Sequence, residues 1–134
     1  KVALLDGEMD FSSDTSQTFK IALFTSSATL NASTTAYSTT NEISGTGYTA
    51  GGNTLTISTN PTNATSGTTA FLSFSDTTWV SSTITARGAL IYKSGGTNPS
   101  IAVLDFGADK SSSNSMFKVE FPTASDTTAI LRIG

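Results

Sequence analysis

Ser82-Thr-Ile-Thr-Ala-Arg-Gly-Ala-Leu-Ile-Tyr92 is the stretch whose reading decides the fold. Ile84, Ala86, Gly88, Leu90 and Tyr92 recur at a spacing of two, with Thr83, Thr85 and Arg87 between them. That is the period of a strand with one buried face. From Ala89 the alternation gives way to the apolar run Ala89-Leu90-Ile91-Tyr92, as expected where a strand enters the middle of a sheet and is covered on both sides. The stretch therefore predicts a central strand. Gly88 reads as a packing residue, because a missing Cβ lets a neighbouring backbone or a large side chain approach, or marks a bulge.

Downstream, Ser94–Pro99 predicts a broad hairpin loop and Ser100–Gly107 the partner strand. Asp109–Asn114 reads as a turn, Met116–Phe121 as an alternating strand and Ala129–Ile133 as a closing strand. Upstream, Asp76–Trp79 turns the chain into the central strand, Ala70–Phe74 is a short strand, and Asn53–Thr59 alternates Leu55 and Ile57 against threonines before a turn signal at Asn60-Pro61. Phe19–Thr25 reads as a largely buried strand preceded by a polar loop over Phe11–Thr18. Residues 26–52 form a long loop region with Leu30, Tyr37 and Ile43 as isolated anchors and a short helical turn around Thr35–Glu42. Residues 1–7 suit a short helix ending at a glycine cap. The glycines of Gly45–Gly52 lack the Gly-Lys-Ser/Thr of a phosphate loop and the following helix of a dinucleotide fingerprint, so they read as a turn entering a strand. About seven strands with no βαβ alternation predict an all-β chain, an antiparallel β-sandwich or jelly-roll-like single domain spanning residues 1–134.

Composition narrows the function. The 134 residues carry no cysteine and no histidine, which excludes disulfides, thiolate metal sites and imidazole chemistry. Charged residues make up 13% and the net charge is −3, with seven basic residues scattered along the chain. A binder of phosphate backbones needs clustered Lys and Arg, so nucleic acid is not an expected partner. No apolar run reaches the ~18–20 residues of a membrane-spanning helix, and no membrane partner is expected. The opening Lys-Val-Ala-Leu-Leu-Asp has neither the length nor the cleavage site of a secretory signal. Asn31-Ala-Ser33 and Asn63-Ala-Thr65 match glycosylation acceptors, a chance match in a chain read that way. About a third of the residues are Ser or Thr, yet 37% are hydrophobic and eight are Phe, which suits a folded β domain paved with hydroxyls.

The chemistry left open by this composition is narrow. Paired carboxylates are the remaining catalytic option, but a glycosidase cleft needs more aromatic lining than one Trp and three Tyr provide, and no enzyme is expected. Asp105 and Asp109 flank the end of a predicted strand and offer two oxygen ligands, short of the dense Asp/Asn spacing of a calcium loop, so neither metal nor cofactor is expected. Trp79 is a candidate stacking platform or interface anchor, with a plug at one end of the sandwich as the alternative. Arg87, among Thr83 and Thr85 on the polar face of the central strand, would pair with a carboxylate across a subunit contact. Low charge and hydroxyl-paved faces suit a subunit packed into an assembly, where desolvated charges are costly.

Phe19-Lys-Ile-Ala-Leu-Phe-Thr-Ser26, Thr34-Thr-Ala-Tyr-Ser-Thr-Thr-Asn-Glu-Ile-Ser-Gly-Thr-Gly-Tyr-Thr-Ala-Gly-Gly52, Ile84-Thr-Ala-Arg-Gly-Ala-Leu-Ile-Tyr92 and Val103-Leu-Asp-Phe-Gly107 resemble a family of small virion proteins encoded by tailed bacteriophages. The likeness covers nearly the whole chain, and the short N-terminal helix ending Leu4-Leu-Asp-Gly7 matches the usual opening of its members. What the resemblance implies is a virion structural protein, first a capsid decoration (cement) protein on the outer surface of the particle. Its partners would be the major capsid protein and further copies of itself in a homotrimer. The alternatives are a tail-fibre or appendage module binding a host receptor or glycan through Tyr37, Tyr48 and Trp79, and a head-to-tail or tail component.

Overall fold

A computed structural model of the chain describes residues 7–12, 15–64 and 67–134. The described residues contain seven strands and no helix: β1 (Thr18–Phe24), β2 (Asn53–Leu55), β3 (Ile57–Asn63), β4 (Ala70–Phe74), β5 (Thr77–Ser94), β6 (Ser100–Val119) and β7 (Leu131–Ile133). They form two antiparallel sheets, a four-stranded one in the order β2-β1-β5-β6 and a three-stranded one in the order β3-β4-β7. The chain divides into two compact units, and each unit is assembled from separate segments. The expected helix at residues 1–7 falls on 1–6, outside the described residues, and Gly7 lies in a turn.

One unit, residues 18–54 and 78–118, carries the four-stranded sheet. β5 lies between β1 and β6, so the predicted central strand is central. It pairs with β1 from Thr18↔Ser94 to Phe24↔Gly88. Ala89, Leu90 and Ile91 are fully buried and Tyr92 nearly so, and Ile21, Ala22 and Leu23 opposite them are equally enclosed. Covering both faces of these strands is what permits uninterrupted apolar runs. On one face, Ala22, Phe24, Leu90 and Tyr92 form a cluster that Ala28, Leu30, Tyr37 and Val103 cover. Burying a Phe or Leu side chain contributes about 2 kcal/mol, so this cluster fixes the residues 26–52 to the sheet.

β5 starts five residues before Ser82, at Thr77, and its alternation changes parity on the way. Thr77 and Trp79 are buried, then Ser82, Ile84 and Ala86. The switch falls at Ser81, whose φ of 49° inserts an extra residue as a bulge does. Gly88 behaves as its sequence position implies, since a Cβ there would stand 2.6 Å from the carbonyl oxygen of Leu104 on β6. A neighbouring backbone occupies the space of the missing side chain.

The expected turn at Asp109–Asn114 is instead the middle of β6, a strand of 20 residues. Ser and Asn favour turns when their side chains bond their own backbone. Here β5 supplies partners instead. The Ser82 and Ser112 hydroxyls are 2.7 Å apart and buried, the Ser82 hydroxyl donates to the Ser115 carbonyl at 3.0 Å, and the Asn114 N–H donates to the Thr83 hydroxyl at 2.9 Å. Asp105 and Asp109 accordingly lie within one strand and do not flank its end. Residues 26–52 hold no strand but are tied down by isolated bridges, Phe24↔Glu42, Ala36↔Pro99 and Thr46↔Thr83, and the expected helical turn at Thr35–Glu42 is absent. Backbone pairing with the hairpin loop consumed the groups a helical turn would have used: the Tyr37 N–H donates to the Asn98 carbonyl at 2.9 Å.

The other unit, residues 7–17, 55–77 and 119–134, carries the three-stranded sheet. The single strand expected over Asn53–Thr59 is broken at Thr56, with β2 in one sheet and β3 in the other. β3 runs through Asn60 and Pro61 to Asn63 instead of turning there. Its register against β4 shifts between Thr59 and Thr62, on either side of Pro61. An edge strand with a bulge tolerates a proline because no ladder hydrogen bond is demanded of it. Leu72 and Phe74 on β4 are buried, the Phe74 and Phe121 rings lie 6.1 Å apart, and the Phe121 N–H donates to Asp76 Oδ1 at 2.9 Å.

Candidate interaction surface

Three successive outward positions of β5 are tied across to β6. The Thr83 hydroxyl accepts from the Asn114 N–H, the Thr85 and Ser111 hydroxyls are 2.8 Å apart, and Arg87 Nε donates to Asp105 Oδ1 at 3.2 Å. Along β6 the last two of these contacts are separated by the stretch Asp105–Ser111. Gly107, at a φ of 75°, sits in it, and its N–H donates to the same Asp105 oxygen at 2.8 Å. The Gly107 N–H and then the Arg87 guanidinium hold the Asp105 carboxyl below the usual carboxylate range. Arg87 thus pairs within its own chain, and its side chain remains 42% exposed.

Beside Arg87 lies an open groove of about 260 Å³, lined by Phe24, Thr25, Ser26, Ala28, Leu30, Gly88, Val103 and Leu104 with Arg87 and Asp105. A second groove of about 220 Å³ lies next to it, with Phe24, Ala28 and Leu30 in common.

The aromatic candidates sit elsewhere. Trp79 is only 3% exposed, between the rings of Tyr48 and Phe117 at centroid distances of 6.0 and 6.1 Å, so it presents no stacking platform. Tyr37 stacks on Tyr92 at 4.4 Å and donates its hydroxyl to Glu42 Oε2 at 2.7 Å. Tyr48 donates to Glu42 Oε1 at 2.6 Å and accepts from the Leu23 N–H at 2.9 Å. The Gly51 N–H adds a third donor to Glu42 at 2.7 Å, and the Tyr92 hydroxyl donates to the Gly51 carbonyl at 2.9 Å. Burial first, and then the Glu42 carboxylate, pushes the Tyr48 and Tyr37 hydroxyls well above the ordinary tyrosine range, and Tyr92 in the same direction. Gly52 closes the arrangement: at a φ of 67°, a Cβ on it would overlap the Ile21 carbonyl.

Glu42, the hub of this network, was not among the residues singled out by sequence pattern. The signal was present, since Glu42 is the sole charged residue between Lys20 and Asp76. An isolated carboxylate in such a stretch implies partners that hold it. Of the two aspartates read as possible oxygen ligands, Asp105 has one oxygen committed to Arg87 and the Gly107 N–H.

Fold and surface together define the class: an all-β chain of two antiparallel sheets that displays a polar cross-strand row beside a shallow groove of mixed polar and apolar lining. Comparison with protein-family models, with curated proteins and with solved structures found no match in any of the three.

Proposed function

We propose that this chain is a structural subunit of a tailed-bacteriophage virion, a capsid decoration protein that binds the assembled shell from outside and stabilises it. The phage assignment rests on the resemblance of the Phe19–Ser26, Thr34–Gly52, Ile84–Tyr92 and Val103–Gly107 segments. The observation that carries the mechanical role is the row Thr83, Thr85 and Arg87, in which the threonine hydroxyls are already bonded to Asn114 and Ser111 while Arg87, paired with Asp105 through Nε, keeps its Nη donors for a partner. Burying such a row against a partner strands few unpaired groups, the main cost of covering a polar surface. In this reading the two sheets pack as a sandwich or jelly roll, copies associate as a homotrimer, and the partner is the major capsid protein. Binding the assembled shell but not free subunits stabilises the shell by mass action, and repetition multiplies modest contacts.

Decoration is preferred to a receptor-binding appendage because Trp79, Tyr37 and Tyr48, the residues such a module would present, are engaged in internal contacts. Cryo-EM of purified virions tests the reading. Density for this chain repeated over the shell is the expected result, density confined to the tail would move the assignment to an appendage, and absence from the particle would overturn it.

A further inference from the structure

The groove between Leu30 and Val103 has a charged rim that is asymmetric in what it offers. Of the five N–H donors on a guanidinium, Arg87 uses only Nε–H, and its Nη atoms make no hydrogen bond among the described residues. Asp105, by contrast, has one oxygen held twice, by Arg87 and by the Gly107 N–H, and one oxygen left to set against the hydrogens of both Nη atoms. The rim therefore has donors in excess over acceptors. It is also fixed in place, because the Gly107 N–H orients the carboxylate and the carboxylate orients the guanidinium. An oriented fork with free Nη atoms matches the two oxygens of a carboxylate. The floor beside it carries no charge and sets the apolar Phe24, Ala28, Leu30 and Val103 beside the hydroxyls of Thr25 and Ser26. Gly88 contributes backbone alone to the β5 side of the groove.

We infer that this groove binds an extended polypeptide segment of the shell subunit carrying an aspartate or glutamate beside an aliphatic side chain. The carboxylate takes the Arg87 Nη atoms and the aliphatic group lies on Leu30 and Val103. That the segment belongs to a capsid subunit rests on the reading proposed above; the chemistry of the groove does not. The groove's volume of about 260 Å³ holds one or two side chains, so single-site affinity is weak and particle binding depends on repetition.

Two measurements separate the inference from the reading it rests on. In the first, isotope-labelled protein is titrated with Ac-Leu-Asp-Leu-NH2 and with Ac-Leu-Asn-Leu-NH2, and amide and Arg87 Nε resonances are followed. The expected result is shifts confined to residues of the groove, about tenfold weaker binding of the asparagine peptide, and loss of that preference in Arg87→Gln. Equal binding of both peptides, or shifts elsewhere or none, would overturn the inference. In the second, wild type, Arg87→Gln and the groove-filling Ala28→Trp, each checked for an unchanged thermal transition, are added back to particles lacking this protein. Wild-type binding with loss in both variants supports the inference. Wild-type binding with both variants binding equally well overturns it while the decoration reading stands. If the wild type fails to bind, the decoration reading falls, and the peptide titration alone decides the groove.

Discussion

The segment Tyr37–Gly52 and the row Thr83–Arg87 are both polar, both Ser/Thr-rich and both on the same compact unit, yet they use their polar groups in opposite ways. In the first, two tyrosine hydroxyls and a backbone N–H converge on Glu42, and the side chains that looked available for recognition are turned inward. In the second, hydroxyls and an ion pair bridge two adjacent strands, the side chains stay at the surface, and Arg87 keeps donors to spare. The first is a latch that secures a long loop to the sheet. The second leaves its side chains at the surface. A tyrosine in a loop is therefore no guide to binding until the destination of its hydroxyl is known.

Substitutions break this contrast in a defined order. The largest effect is expected for Gly52→Ala, where a methyl group would overlap the Ile21 carbonyl on backbone at a φ of 67°; a loss of about 4 kcal/mol in urea unfolding, or no folded protein, is expected. Glu42→Ala comes next, because it leaves Tyr37, Tyr48 and Gly51 without their acceptor; the loss should be about 3 kcal/mol. An unfolding midpoint unchanged from wild type would mean that the loop is held by Leu30 and its apolar neighbours alone.

Alkaline pH probes the same latch without mutation. The folded-state pKa of Tyr37, Tyr48 and Tyr92 lies above the ordinary 10.0, so the folded chain holds these protons more tightly than the unfolded one. Their contribution is complete below pH 10.0 and is lost as pH rises beyond it toward the folded values. Denaturant midpoints should therefore fall above that pH while tyrosinate absorbance lags behind that of the free amino acid, and Tyr48→Phe should flatten the decline. The smallest effect on stability is expected on the other side of the comparison. Arg87→Glu disrupts an exposed ion pair and should change unfolding by no more than about 0.5 kcal/mol, while association with particles weakens. If the variant assembles normally, the Thr83–Arg87 row is not the contact.

How much was legible in the sequence follows from the range of the interactions involved. The apolar run Ala89–Tyr92 announced a strand covered on both faces, and the buried Phe19–Phe24 strand was equally plain, because side-chain period is a local property that burial reads directly. Gly88 was recognisable as a site of close approach for the same reason. The polar run Asp109–Asn114 was misread because turn chemistry is also local, and nothing nearby in sequence shows that Ser82, Thr83 and Thr85 lie alongside to take its hydrogen bonds. Pro61 was misread as a strand end because an edge position, where proline is tolerated, is known only once sheet order is known.

The sequence by itself determined an all-β chain, its central strand, its exclusion of thiol and imidazole chemistry, and its low content of charged residues. Those properties depend on composition and on a period of two, which each segment carries alone. Only the tertiary structure decided that Glu42 receives Tyr37, Tyr48 and Gly51, that Trp79 is enclosed, that the Asn53–Thr59 run divides between two sheets, and that Arg87 stands with free donors beside an open groove. Each of these depends on which distant residues a particular register brings within hydrogen-bonding or van der Waals distance, and a register is fixed by the packing of the whole sheet, not by any one strand.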